Sequence, residues 1–133
     1  MVIDTSALLA ILFNEPETIK FAKTIASDSK RLMSCFSILE SSIVVEAKKG
    51  EIGGRELDLL LHRAQIEIIP FNSEQYKIAR LAWRKYGKGN HPAALNIGDC
   101  CSYALSIFSG EPLLFKGQDF TKTDVTTVKI IFK

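Results

Sequence analysis

Histidine and cysteine are scarce: the 133 residues hold two histidines, His62 and His91, and three cysteines, Cys35, Cys100 and Cys101. Neither the CxxC nor the HxxxH spacing of a zinc site is present. An odd cysteine leaves one thiol over, and adjacent residues such as Cys100 and Cys101 rarely bridge, so reduced, apolar thiols of a cytoplasmic protein are expected. Charge of one sign is missing too. The 17 Lys and Arg against 15 Asp and Glu leave a net charge of +2, too balanced to attract a polyanion in bulk. No apolar run reaches the ~20 residues of a membrane span, and the N-terminus lacks a signal peptide's positive start and roughly 7–15-residue apolar stretch, so no membrane association is expected. No repeat, low-complexity tract or long linker divides the chain. Its 47% apolar and 24% charged content fits a single globular domain over 1–133.

What is present begins at once: Met1-Val-Ile-Asp4 is a short apolar strand that delivers a carboxylate to its carboxyl end, the end at which open α/β sheets build their sites. A helix follows with Leu8, Leu9, Ile11 and Leu12 on its apolar side. Pro16 suits the first turn of a second helix carrying Ile19, Phe21, Ala22 and Ile25. A strand over 31–34 precedes a helix opening at Ser37, which Lys48, Lys49 and Gly50 bring to an end. Gly53 and Gly54 precede the next helix, with Leu57, Leu60 and Leu61; 66–69 is a β-rich run, and a helix occupies 73 to about 86. Two glycines and a proline over 87–92 mark a loop, a helix begins between Asn96 and Asp99, and strands are expected over 112–115 and 125–131. Strands alternating with helices predict a parallel α/β sheet of about five strands with right-handed crossovers.

Four acids stand at element ends rather than on solvated helix faces: Asp4, Glu40, Asp99 and Asp119. In an open parallel sheet these ends meet at one edge. Like charges gathered there raise a pKa or recruit a cation, and all-oxygen ligation favours Mg²⁺ or Mn²⁺ over zinc. Each acid also has a local reading. Asp4 suits a helix N-cap, Ser37-x-x-Glu40 matches a capping box, Asp99 suits a helix dipole, and Asp119 and Asp124 suit turns.

Four segments together resemble the PIN domain, specifically the VapC-type ribonuclease toxins: Val2-Ile-Asp-Thr-Ser-Ala7, Ser37-Ile-Leu-Glu-Ser-Ser-Ile-Val44 with Glu46-Ala-Lys-Lys-Gly50, Asn96-Ile-Gly-Asp-Cys-Cys-Ser-Tyr-Ala104, and Leu113-Leu-Phe-Lys-Gly-Gln-Asp-Phe120. The resemblance implies a three-layer α/β/α fold and Mg²⁺- or Mn²⁺-dependent hydrolysis of RNA. It makes Asp4 and Asp99 the principal metal ligands, with Glu40 completing the pocket and Ser6 supporting Asp4. Many members carry an aspartate two residues before the Asp-Phe pair. That position is Gly117 here, leaving Asp119, or else Asp124, as the fourth acid.

The resemblance further implies a cognate VapB-like antitoxin and a homodimer, with the RNA target (tRNA, rRNA or mRNA) left open. Leu12, Phe13 and Phe21 are candidates for the antitoxin groove, and core packing explains them equally well. Lys85, Lys88, His91 and Lys116 are candidate phosphate contacts, or solvated surface groups. Trp83 and Tyr86 fit a helix core better than a base-stacking platform. The alternative from another class is a catalytically weak or inactive PIN-like module that binds RNA or protein without cutting. Phosphotransfer through Asp4 of the haloacid-dehalogenase kind ranks below both, because Ser6 stands where that pattern has a second aspartate.

Overall fold

The computed structural model describes residues 1–132. Four short parallel strands, β1 (Val2–Ile3), β2 (Leu32–Ser34), β3 (Glu67–Ile69) and β4 (Leu113–Leu114), lie in the spatial order β3-β2-β1-β4. Successive side chains of a strand point to opposite faces of the sheet. Val2, Leu32 and Leu113, aligned in register, enter one apolar core, whereas Ile3, Met33 and Leu114 enter the other. A slip of one residue would exchange the two sets, so burial on both faces specifies the register.

Helices cover each face. α1 (Thr5–Leu12), α2 (Thr18–Ala26), α3 (Cys35–Lys49) and α4 (Glu51–Arg63) pack around Ile3, Met33 and Leu114 through Leu8, Phe21, Val45 and Leu57. α5 (Ser73–Tyr86) and α6 (Ile97–Ser109) pack on Val2, Leu32 and Leu113 through Ala82, Tyr86, Tyr103 and Leu105. The result is a three-layer α/β/α sandwich. Leu8 and Leu57 are fully buried, so cutting either back to alanine costs about 2–5 kcal/mol. Among the described residues no helix is long and apolar enough to cross a membrane.

The expected fifth strand is not one. Residues 125–131 make a single parallel bridge, Leu113 to Thr127, flanked by bonds from Leu113 N to the Thr126 carbonyl and from Val128 N to the Leu113 carbonyl. β4 is only two residues long and offers nothing further to pair with. Gly53 and Gly54 lie inside α4 rather than before it. A Cβ on Gly53 would come within 2.8 Å of the Val45 carbonyl and of the Lys49 Cβ, so this glycine lets α3 and α4 approach closely. α3 starts at Cys35, two residues before Ser37, and α2 starts at Thr18, beyond Pro16.

From β1 the chain proceeds outward through β2 to β3, then returns to place β4 on the other side of β1. The reversal between β1 and β4 is a topological switch point, where the crossovers diverge and leave a crevice outside the carboxyl ends of the strands. Asp4 follows β1 there, and Lys116 to Asp119 follow β4.

Candidate active site

Asp4 is the N-cap of α1 and is 3% exposed. Its Oδ2 accepts from the Ser6 backbone N–H at 3.0 Å and from the Ser6 hydroxyl at 2.6 Å. Ser6 Oγ in turn accepts from the Lys116 backbone N–H at 3.0 Å. One serine thus fixes the Asp4 carboxylate and ties the loop after β4 to the start of α1.

Glu40 stands in the second turn of α3, not the first, because the helix begins at Cys35. No Ser37 capping box forms. The cap is Ser34, whose hydroxyl accepts from Phe36 N, while the buried Ser37 hydroxyl lies 3.2 Å from that of Ser102 and joins α3 to α6. Glu40 is held by Thr5, whose Oγ1 donates to Oε1 at 2.7 Å. A Cβ on Gly98 would sit 2.5 Å from Glu40 Oε2 and 2.7 Å from Oε1. The carboxylate therefore lies against the α6 backbone, one residue before Asp99.

Asp99 does form a capping box: Asn96 N donates to its Oδ2 at 3.1 Å, and its own N–H donates to Asn96 Oδ1 at 2.8 Å. Burial pushes its pKa up to about 6, against the bond from Asn96, and the charges of Asp4, Asp119 and Glu40 push it further the same way. Four acids from four elements share one field. Asp119 opens a short 3-10 turn, Asp119–Lys122, and is exposed, with Phe120 buried against Phe115 behind it. Gly117 adopts φ +102°, a backbone conformation that an aspartate would hold only under strain. Asp124 is engaged elsewhere: Tyr103 donates to its Oδ1, and this hydroxyl holds the carboxyl below its ordinary value.

The basic candidates separate in the same way. Lys116 Nζ pairs with Glu15 at 3.2 Å and Glu17 at 3.4 Å, latching the β4 loop to the α1–α2 turn. Lys85 lies over the Tyr86 ring and His91 packs edge-on against it, with His91 Nδ1 accepting from Ala93 N. Lys88 opens onto an apolar groove with Trp83 and Phe36. The 87–92 loop is tied down, since Leu95 N bonds the Tyr86 carbonyl and Lys88 N bonds that of Leu95. Phe21 is buried, whereas Leu12 and Phe13 are partly buried beside the same core.

A profile of the PIN domain matches residues 1–125. The chain belongs to the PIN-domain family. It falls among the VapC ribonucleases: ribonuclease VapC30 of Mycobacterium tuberculosis is 54% identical over 130 residues, covering 98% of this chain and 99% of the relative. Ribonuclease VapC of Mycolicibacterium smegmatis is 56% identical over 128 residues, 96% of this chain and 99% of the relative. Among solved structures, the sarcin-ricin loop cleaving toxin VapC20 of Mycobacterium tuberculosis superposes with TM-score 0.77 at 12% identity, over 96% of this chain and 97% of its own. VapBC2 of Rickettsia felis, bound to a DNA fragment from its promoter, gives 0.76 at 15% identity over 96% of each chain. At those identities the likeness is one of fold.

The PIN fold raises the question of a metal, and the donor chemistry fits one. Asp4, Glu40 and Asp99 each commit one oxygen to the local framework. Their other oxygens, Asp4 Oδ1, Glu40 Oε2 and Asp99 Oδ1, accept from no protein donor among the described residues. No three His, Cys, Asp or Glu side chains close around a point as a metal cage among the described residues. Mg²⁺ does not require such a cage, because it keeps several waters and takes only one or two carboxylates.

Three residues of this PIN domain that local spacing does not mark out also shape the site: Thr5, Asn96 and Gly98. Thr5 adjoins Asp4, Gly98 adjoins Asp99, and Asn96 lies three residues before Asp99. Thr5 and Gly98 act on a carboxylate 35 or more positions away, a relation local spacing does not carry.

Proposed function

We propose that the protein is a single-domain, Mg²⁺- or Mn²⁺-dependent endoribonuclease, the toxin of a VapBC-type pair. The observation that carries this reading is geometric: Glu40, bonded to Thr5 beside Asp4, lies against the α6 backbone one residue before Asp99. Asp4 and Asp99 are the residues that would hold the ion. When bound, a divalent ion supplies charge neutralisation at a phosphoryl oxygen and a lowered pKa for a coordinated water.

The protein's own groups do the positioning. Thr5 and Gly98 seat Glu40 against the backbone that carries Asp99, where its Oε2, free of a protein donor, can take the proton of a water attacking the RNA phosphorus in line. The P–O bond to the leaving sugar oxygen breaks as the new P–O bond forms, and that oxygen takes up a proton from solvent to become a hydroxyl. Ser6 keeps Asp4 oriented while anchoring the loop that carries Asp119. Neither a protein nucleophile nor a covalent intermediate is required.

RNA is the proposed substrate, with a VapB-like antitoxin as the partner that masks the acids and a second copy of the chain as the dimer mate. The toxin–antitoxin assemblies from Rickettsia felis and Klebsiella pneumoniae share this fold and support the antitoxin expectation. Expressing the chain without antitoxin and mapping new 5′ ends in cellular RNA, beside the Asp4→Asn variant, tests the reading. A discrete set of ends present only with the unaltered chain is expected. Identical end profiles from both chains would assign the fold to a non-cutting module.

A further inference from the structure

Beside the acids lies a groove of about 480 Å³ lined by Phe36, Phe71, Arg80, Trp83, Lys88 and Ile97, with Cys100 and Cys101 in its floor. Its size is that of a small-molecule site, roughly 300–1,000 Å³. The aromatic walls face solvent: Trp83 is 50% exposed and Phe71 37% exposed. No carboxylate lines the groove, and Arg80 and Lys88 form no ion pair among the described residues.

We propose that this groove is a nucleobase subsite: a base of single-stranded RNA next to the cut stacks on Trp83, with Arg80 and Lys88 on the flanking phosphates. Three observations choose this occupant. Cations with no acidic partner beside an apolar slot, Lys88 and an Arg80 that rests over the Tyr76 ring, complement a ligand with flat faces and an anionic backbone. Gly87 leaves no side chain to crowd the indole, since a Cβ there would collide with Trp83. The groove is continuous with the acids, because Asn96 lines it and forms the capping box with Asp99, while Phe36 stands one helical turn before Glu40. Tyr86, three residues after Trp83, is buried in the core and leaves Trp83 as the presented ring.

The proposal rests on the ribonuclease reading but fails separately from it. Trp83 is the chain's one tryptophan, so its fluorescence reports the groove directly. In EDTA, a single-stranded oligoribonucleotide titrated into the full chain should quench it, and an abasic strand of equal length should not. By anisotropy of a labelled strand, Trp83→Ala should weaken binding about tenfold. Trp83→Phe should recover most of that loss, neither change should alter the abasic strand's affinity, and Arg80→Gln should weaken both strands alike. Equal quenching by the two strands, or unchanged affinity in Trp83→Ala, overturns the subsite. Quenching that grows with protein concentration in the absence of RNA assigns the groove to a second copy and overturns it too. Mg²⁺-dependent cutting with no Trp83 effect ends the subsite and leaves the nuclease; base-dependent quenching by a chain that never cuts does the reverse.

Discussion

Thr5 Oγ1 donates to Glu40 Oε1 at 2.7 Å, so the residue beside the strand-end aspartate aims a carboxylate that arrives 35 positions later. Thr5→Val keeps the shape and removes the donor. The expected outcome is a roughly 10–100-fold loss of RNA cleavage with a nearly unchanged melting curve, the scale on which removal of an orienting partner acts at metal sites. Thr5→Ser should restore most of the rate. A Thr5→Val protein as active as the parent would show that Glu40 needs no such support.

Gly98→Ala tests the same carboxylate from the other side. The added Cβ would meet both Glu40 oxygens at 2.5–2.7 Å, and Glu40 must swing away from Asp99. Alanine improves helix propensity by about 1 kcal/mol, so cleavage should fall while denaturant stability holds or rises. Loss of stability and activity in parallel would mean that Gly98 serves packing alone.

Restoring the family's aspartate at position 117 should not restore a fourth ligand. Gly117 holds φ +102°, and a non-glycine residue in such a conformation costs on the order of 1–3 kcal/mol. Gly117→Asp is expected to lower the denaturant midpoint by that order without raising the cleavage rate. A faster, equally stable variant would contradict this account of the loop.

Proton linkage at Asp99 gives a prediction with a definite sign. Its folded pKa is raised from 3.8 to about 6, first by burial and then by the neighbouring acids. A carboxyl that binds its proton more tightly when folded stabilises the fold fully below pH 3.8, and that contribution is lost as pH rises through about 6. The metal-free protein should therefore lose stability across this window, and Asp99→Asn should flatten the trend and melt higher at pH 7. Mg²⁺ affinity should run the opposite way, falling about tenfold per pH unit below about 6 as the ion competes with the proton. Calorimetric titrations at pH 5, 6 and 7 check both signs.

What the sequence made legible was local. The position of Asp4 at a strand end follows from the short apolar run before it, and the parallel α/β order follows from strands separated by helices. The side-chain partners that join distant segments were hidden. Ser37-x-x-Glu40 imitates a capping box, yet Ser37 pairs with Ser102 and Glu40 with Thr5, contacts that only the folded sheet creates. Gly53 and Gly54 read as punctuation because glycine usually is; inside α4 the missing side chain matters more than the chain's freedom. Trp83 and Tyr86 share a helix face by spacing, but only Tyr86 reaches the core.

The most direct measurement is cleavage of a defined single-stranded RNA by the purified chain in Mg²⁺, in EDTA, and as Asp4→Asn and Asp99→Asn proteins of verified fold. The account predicts cutting in Mg²⁺, none in EDTA with recovery on adding Mn²⁺, and a loss of at least about 100-fold in either variant. Cutting that persists in EDTA, or an Asp99→Asn protein that cuts at the parent rate, would contradict it.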